Sequence, residues 1–225
     1  MPHLSLFLFG APRIEVDAAP VKVETRKAIA LLAYLAVTSQ THKRDALVAL
    51  LWPEYGQRRG RTILRHILYS LRRSLGGGWL DSSREDVGLR HSADIRLDVA
   101  ELKGCLAECR EHGHAEADVC QQCIDPLSRA AVLYRGDFLE GFSLKDSANF
   151  DDWQFFQTEQ LQREAASVLE RLVKRLSDMG RFEPAIDHAL RWLALDSMHE
   201  TAHCWLMKLY AWAGKRSAAL RQYRE

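Results

Sequence analysis

The spacing of apolar residues changes once near the start of this chain, and that change restricts the fold more than any other feature. Leucine or another aliphatic residue alternates with other residues over 4–9, 14–16 and 21–23. A period of two residues is typical of β-strands. Turn-forming residues separate these stretches at 10–12 and 17–20. The opening of the chain therefore predicts three short strands of an antiparallel sheet.

From Thr25 onward the apolar period lengthens to that of an α-helix. The first predicted helix covers 25–38, with Thr25 as its N-terminal cap. The second covers 43–52, where Pro53 stops it. The third covers 57–75 and ends at a run of glycines. Three helices are therefore predicted directly after the strands.

A short hairpin is predicted next, with strands at 79–80 and 87–90 around a polar loop at 81–86. Strands, three helices and a hairpin, in that order, are typical of a winged helix-turn-helix. We therefore predict an N-terminal winged helix-turn-helix domain of α+β type over residues 1–98.

The rest of the chain, residues 99–225, predicts an all-α domain and makes the whole fold mainly α. Gly180 and Gly214 are 34 residues apart, the period of the tetratricopeptide repeat. The segment 135–151 interrupts the helical pattern but is too apolar for a free linker. The sequence stops inside a helical pattern without a cap, so this tetratricopeptide-like domain is expected to be truncated at its C-terminus.

The third predicted helix carries charge of one sign. Between Pro53 and Gly76 there are six arginines and one acid, Glu54. Residues 1–98 hold 15 lysines and arginines against 10 acids, a net charge of +5, and the remainder holds 16 against 20, a net charge of −4. Arginine suits contact with guanine edges and phosphates, so this helix predicts contact with double-stranded DNA.

The alternative is that these arginines only solvate a surface helix. This helix is the last of three and is followed by the hairpin at 79–90. That order favours a recognition helix with the hairpin as its wing. The predicted DNA-binding residues lie on the outward face of this helix and on the hairpin: Arg58, Arg59, Arg61, Thr62, Arg65, His66, Tyr69, Arg72, Arg73, Arg84 and Arg90.

Several motifs resemble one known family. The N-terminal motifs are similar to the OmpR-like winged helix of SARP-type bacterial activators, and the later ones resemble the bacterial transcriptional activation domain (BTAD) that accompanies it. The motifs are 6–10, 26–27, 44–53, 68–76, 133–142 and 153–172. The resemblance implies binding to promoter DNA, often as a homodimer on direct repeats, and contact with RNA polymerase. The hairpin departs from the family because its tip has no aromatic residue.

Cysteines and histidines cluster between residues 105 and 123, where four of the five cysteines lie. Cys109, His112, Cys120 and Cys123 are the predicted ligands of a structural zinc ion, with His114 as a substitute. In the alternative interpretation, Cys105 and Cys109 are small core residues and the Cys120–Cys123 pair is a coincidence. A redox switch through that pair is a third possibility.

Other functional classes find little support in the sequence. We find no glycine-rich phosphate loop, no nucleophile motif and no metalloprotease motif, so we predict that the protein is not an enzyme. No apolar stretch approaches the roughly 18 residues of a membrane span, and a cytoplasmic location is expected. The competing function is a protein-interaction scaffold in which the winged helix docks protein.

Overall fold

The computed structural model describes residues 2–90, 92–115 and 119–224. The chain divides into two compact units, each made from two stretches of sequence. The first unit comprises the chain up to Glu101 together with Arg135–Glu159. The second comprises Leu102–Tyr134 and the chain from Gln160 onward. Because neither unit is continuous in sequence, the division of the chain at residue 98 stays a prediction.

The first unit contains strands and the three predicted helices. Its strands are β1 (Leu4–Phe7), β2 (Arg13–Val16), β3 (Ala19–Pro20), β4 (His42–Lys43), β5 (Leu80–Ser82), β6 (Asp86–Leu89) and β7 (Ile95–Leu97). Its helices are α1 (Arg26–Thr38), α2 (Arg44–Leu51) and α3 (Gln57–Leu75). The three helices are confirmed. The sequence did not predict β4 and β7, which are too short to show a period.

The four-stranded sheet has the order β3-β2-β1-β7, with β2 antiparallel and β7 parallel to β1. Asp98 follows β7 directly and is buried. Its carboxylate accepts hydrogen bonds from the backbone N–H groups of Leu8, Phe9 and Val99 at 2.8–3.0 Å. The bonds from Leu8 and Phe9 satisfy amides just beyond β1, where its pairing with β2 and β7 has ended.

The predicted strand at 21–23 is wrong, since β3 covers Ala19–Pro20 instead. Asp17 and Ala18 both have positive φ, 51° and 61°. They form a two-residue loop between Val16 and Ala19, which pair with each other. Such a loop needs positive φ at both central residues, so the turn is tighter and the strand begins earlier than predicted.

Helix α1 begins as predicted, because the Thr25 side chain accepts a hydrogen bond from the Ala28 amide at 3.2 Å. Strands β4, β6 and β5 form a second sheet in that order. The predicted hairpin is present, but its strands lie closer to the turn than predicted, so the turn is shorter. The Ser83 hydroxyl accepts hydrogen bonds from the amides of Glu85 and Asp86 at 3.1 and 2.9 Å, which closes the turn.

The apolar segment 135–151, predicted not to be a free linker, packs within the first unit. The Leu139 amide donates to the carbonyl of Leu8 at 2.8 Å. The Ser147 hydroxyl donates to the carbonyl of Leu51, at the end of α2, at 2.7 Å. A stretch of sequence between parts of the second unit therefore completes the core of the first.

Helices form almost all of the second unit. They are α4 (Asp98–Arg110), α5 (Ile124–Leu133), α6 (Ala148–Asp178), α7 (Phe182–Leu195), α8 (Glu200–Trp212) and α9 (Arg216–Gln222), with a 3-10 helix at Gln121–Cys123. Helices α4 and α6 each begin in the first unit and continue into the second.

The 34-residue period predicted from Gly180 and Gly214 recurs in the backbone geometry. Both glycines have positive φ, 69° and 74°. The residue after each glycine donates its amide to a carbonyl five residues back, Arg181 to Leu176 and Lys215 to Tyr210, both at 2.8 Å. The two helices thus end with the same capping pattern, which confirms the predicted repeat of helical hairpins. Within the described ranges, no helix is both long and apolar enough to cross a bilayer.

Candidate nucleic-acid interface and candidate metal site

The buried face of α3 determines which of its residues point outward. Leu64, Leu68, Leu71 and Leu75 are all at most 3% exposed, as predicted. Gly60 extends this stripe and lies against α2: a Cβ at this position would stand 2.2 Å from Cγ1 of Val48. Close contact along this whole row leaves α3 little freedom to rotate.

The residues opposite this stripe face solvent. Arg58, Thr62, Arg65 and Tyr69 follow each other at spacings of four and three, which places them in one row along the helix. All four are exposed, and Tyr69 is 67% exposed although its ring is largely apolar. His66, Arg59, Arg72 and Arg73 are exposed as well. A cationic surface with an unburied aromatic ring is available to an external partner.

Arg61 differs from the other arginines of α3 because it is held by two carboxylates. Its guanidinium donates to both oxygens of Asp45 in α2 at 2.6 and 2.7 Å, and to Glu85 in the wing at 3.0 Å. The hydrogen bonds from Arg61 lower the pKa of Asp45 below its ordinary value. Arg61 therefore joins α2, α3 and the wing rather than standing free.

Three further predicted residues make looser contacts. Arg59 lies over the ring of Tyr55, 4.4 Å from its centre. Arg72 donates to the Ser82 hydroxyl of the wing at 2.6 Å. Arg73 stands 3.9 Å from Glu24 with its side chain 74% exposed. These contacts orient the side chains and leave their charge at the surface.

A second group has no such partner. Within residues 2–90, 92–115 and 119–224, the side chains of Arg58, Arg65, His66, Arg84 and Arg90 make no hydrogen bond or ion pair. Thr62 donates only to the Arg58 carbonyl of its own helix, at 3.1 Å. Charged groups that no neighbour neutralises are the ones available to bind phosphates or base edges.

The two arginines predicted on the wing lie at opposite ends of it. Arg84 is in the turn between β5 and β6 and is exposed at the tip. Arg90 follows β6, and its amide donates to the Trp79 carbonyl at the base of the hairpin. Of the two, only Arg84 has the position of a wing-tip residue.

Arg44 lies near this surface and was not among the predicted DNA-binding residues. Arg44 begins α2 and donates two hydrogen bonds to the Ser83 carbonyl of the wing at 3.0 and 2.8 Å. Burial lowers its pKa below the ordinary value, and the positive charges of Arg65, Arg61 and Arg72 lower it further. Only the fold brings these four arginines together, so the spacing along α3 could not have identified Arg44.

A second cluster lies in the second unit, between the end of α4 and the start of α5. The Sγ of Cys123 is 3.1 Å from Nδ1 of His112, 3.2 Å from Nε2 of His114 and 3.6 Å from Sγ of Cys120. The four ligand atoms all lie within 4.8 Å of one another. Two imidazoles and two thiols so arranged are donors of the kind that zinc prefers.

The predicted ligand set needs one correction, because His114 belongs to the group and Cys109 does not. Cys109 lies inside α4, is 1% exposed, and directs its Sγ to the carbonyl oxygen of Cys123 at 4.0 Å. Helix α4 ends at Arg110, and Gly113 then turns the chain with φ of 72°. The turn brings His114 to the thiols, while Cys109 stays in the helix core.

The two thiols of the pair differ in their surroundings. Burial disfavours the thiolate of Cys120, but hydrogen bonds from Cys123, Gln122 and His114 outweigh it and lower the pKa of Cys120 to about 6. Burial raises the pKa of Cys123. The surroundings of the pair therefore favour the thiolate at Cys120 and disfavour it at Cys123.

Comparisons with known proteins agree with both halves of the fold. The family described as "Bacterial transcriptional activator domain" matches residues 97–225, more than half of the chain. The fold is similar to that of EmbR from Mycobacterium tuberculosis, solved in complex with a low-affinity phosphopeptide, with a TM-score of 0.73 and 22% identity. The match covers 100% of this chain and 59% of EmbR. No curated protein matches the sequence.

Proposed function

Because this chain belongs to the bacterial transcriptional activator domain family, we propose that it is a sequence-specific DNA-binding transcription regulator, with α3 as its recognition helix. The family is one of transcriptional activation rather than of enzymes, and its match agrees with the resemblance to SARP-type activators. In the proposed complex, α3 lies in the major groove, where a helix fits and each base pair presents a distinct pattern.

The row Arg58, Thr62, Arg65 and Tyr69 is the observation that carries the proposal. It lies opposite the buried stripe of α3, and its two arginines are free of internal partners in the described part of the chain. In helix-turn-helix proteins the N-terminal part of the recognition helix contacts base edges. Arg58 and Arg65 are therefore the proposed base-reading residues, and Tyr69, further along, contacts the backbone.

The tethered arginines have a different role in this account. Arg61 fixes α3 to α2 and to the wing through Asp45 and Glu85. Arg72 and Arg73 sit at the C-terminal end of α3 with their charge exposed, where they contact phosphates. Arg84 at the wing tip contacts the neighbouring stretch of DNA backbone.

The helical second unit is the proposed protein-binding part. Its helical hairpin of α7 and α8 is of the kind that presents an extended surface to partners. RNA polymerase is the proposed partner, because the resemblance to SARP-type activators implies that contact. Binding as a homodimer to direct repeats and a cytoplasmic location, where promoter DNA lies, complete the proposal. Co-purification of RNA polymerase with the DNA-bound protein tests the contact with polymerase.

Selection of bound duplexes from a random pool tests sequence-specific binding directly. The proposal expects a shared motif among the recovered sequences. On the best of these duplexes, Arg65→Ala should weaken binding by about 1–3 kcal/mol and relax the preference at one base position.

Arg163→Ala is the matched control, because Arg163 is an exposed arginine in α6 and has no ion pair within the described residues. It should leave the affinity unchanged. A scaffold whose winged helix docks protein would yield no shared motif and no difference between the two variants, and that result would reject DNA recognition by α3.

A further inference from the structure

We propose that His112, His114, Cys120 and Cys123 form a closed tetrahedral zinc site that ties the end of α4 to the start of α5. This site is separate from the proposed DNA-binding surface, since all four residues lie in the second compact unit. All four positions around the ion would be filled by protein, which is the arrangement of a structural rather than a catalytic zinc site.

The distances between the donor atoms fit such an ion. Zn–S bonds of about 2.3 Å and Zn–N bonds of about 2.0–2.1 Å, at tetrahedral angles, separate the donors by about 3.3–3.8 Å. The separations between Cys123 Sγ and its three neighbours are 3.1, 3.2 and 3.6 Å. Cys120 Sγ lies 3.5 Å from His112 Nδ1. These four separations lie within a few tenths of an ångström of the zinc values, and all four donor atoms lie within 4.8 Å of one another.

Local backbone structure places the two halves of the site. The histidines come from the turn after α4, where Gly113 takes a conformation with positive φ. The cysteines flank the 3-10 helix that leads into α5, with Cys120 immediately before it and Cys123 at its end. A Cys-x2-Cys pair at a turn is the usual way in which a short segment supplies two zinc ligands.

The other cysteines of the region show what an ordinary core thiol looks like here. Cys105 and Cys109 are one helical turn apart in α4 and are 6% and 1% exposed. Cys120, His112 and His114 are partly exposed instead. Three partly exposed polar groups that converge on one buried sulfur are not explained by packing, because apolar side chains would pack better there.

Two arginines of α6 supply an independent observation. Arg171 is 5% exposed, and its Nε and Nη1 atoms have no hydrogen-bond acceptor within the described part of the chain. Arg175, one turn later, donates to Gln121 between the two cysteines at 3.3 Å, and its Nε is also buried without an acceptor.

Buried guanidinium groups without acceptors are costly unless negative charge lies nearby. Zinc-bound thiolate sulfurs keep partial negative charge and accept hydrogen bonds, since a zinc ligand must be the deprotonated sulfur. Arg175, which reaches Gln121 between the two cysteines, and Arg171, one turn before it, therefore fit a cluster whose cysteines are metal-bound thiolates.

The test measures metal in the full-length wild-type protein after purification under reducing conditions without chelators. About one zinc per chain is expected. Cobalt exchanged into the site should give the intense visible bands of tetrahedral Co²⁺ together with a thiolate charge-transfer band. Alkylation followed by peptide mapping should show Cys120 and Cys123 protected with metal and reactive after its removal.

Variants separate this site from its alternatives. Cys120→Ser and His114→Gln should lose the metal, while Cys109→Ser and Cys204→Ser should keep it. Absence of zinc, together with failure of the reduced wild-type protein to take up Zn²⁺ or Co²⁺, would overturn the proposal. Protection of Cys120 and Cys123 that is lost on reduction but not on chelation would identify a disulfide and overturn it equally. These outcomes do not depend on DNA binding.

Discussion

Along α3, the polar side chains point outward and several have no internal partner, whereas between residues 112 and 123 four polar side chains converge on one another. Arg58 and Arg65 project from a helix whose opposite face is sealed by leucines. His112, His114 and Cys120 surround the sulfur of Cys123. The first region is rich in arginine and the second in cysteine and histidine. The side chains of α3 are available to partners outside the protein, whereas those of the cluster have one another.

The difference shows how an exposed and an internal site can be told apart. On α3, charge that is not neutralised within the protein is available to an external polyanion. In the cluster, donor atoms already at ligand distances require only an ion. We therefore expect substitutions in α3 to change binding with little effect on folding, and substitutions in the cluster to change folding with little effect on DNA binding.

The largest expected effect is that of metal removal from the cluster. Chelation of the wild-type protein should destabilise the second unit, with a loss on the order of several kcal/mol, because metal binding free energy contributes directly to folding. Thermal unfolding with and without chelator measures the loss, and added zinc should restore the melting temperature. An unchanged melting curve would mean that the cluster does not hold the second unit together.

A smaller effect is expected where α3 is packed against α2. Gly60→Ala places a methyl group against Val48, at a separation of 2.2 Å from Cγ1, and overpacking of this kind costs about 1–3 kcal/mol. Alanine also favours a helix over glycine by about 1 kcal/mol. The Val48→Ala background removes both Cγ atoms and leaves only Cβ at 3.3 Å, a contact that a small shift relieves, so Gly60→Ala should stabilise the protein. Urea unfolding of wild type, Gly60→Ala, Val48→Ala and the double variant measures whether Gly60→Ala changes from lowering to raising the free energy of unfolding.

Destabilisation by Gly60→Ala in both backgrounds would mean that Gly60 is required for a reason other than its contact with Val48. In either case the zinc content should stay at its wild-type value. A change in zinc content would contradict the expectation that α3 and the cluster act independently.

The next comparison is between two arginines on the same helix. Arg65→Ala should change the free energy of unfolding by less than about 0.5 kcal/mol, as expected for a free surface residue. Arg61→Ala should lower it, because Asp45 and Glu85 lose their partner. Denaturant titration of both variants at neutral pH measures the difference, and equal stabilities would show that the Arg61 contacts are not stabilising.

The contribution of Arg61 should also depend on pH in a defined direction. The folded state lowers the pKa of Asp45 from its ordinary value of 3.8, so the stabilisation is complete above that value. It is lost as the pH falls through the lower pKa of the folded protein. Wild type and Arg61→Ala should therefore converge in stability toward acidic pH, and a gap that persisted there would assign the effect to packing.

The smallest expected effect distinguishes the two ends of the wing. Arg84→Ala should remove one phosphate contact. The slope of the logarithm of the binding constant against the logarithm of salt concentration should then become shallower by about 1. Arg90→Ala should change it little, because Arg90 lies at the base of the hairpin. Fluorescence anisotropy at several salt concentrations measures both slopes. A larger effect of Arg90→Ala would mean that the base of the wing, and not its tip, approaches DNA.

The sequence predicted α3 well because everything that defines it is local. Pro53 precedes it, three glycines follow it, and a leucine stripe at helical spacing runs between them. Which of its arginines are free could not be predicted. Asp45 and Glu85 reach Arg61 from α2 and from the wing, and their approach depends on the packed domain.

The cluster was predicted only in part for a similar reason. The spacing of cysteines and histidines allowed several sets of four ligands, and the choice between Cys109 and His114 depends on where α4 ends. The role of segment 135–159 in the first unit was beyond prediction as well. Its contacts with Leu8, Gly10 and Leu51 join residues that lie far apart in the chain, and no local pattern encodes them.

The most direct test of the central claim, that the outward face of α3 binds DNA, is the salt dependence of duplex binding by wild type, Arg58→Ala/Arg65→Ala and Arg163→Ala. For the wild type, the logarithm of the binding constant should fall steeply and linearly with the logarithm of salt concentration. The double variant should bind more weakly with a shallower slope, while Arg163→Ala follows the wild type. Identical affinities and slopes for all three proteins would contradict the account.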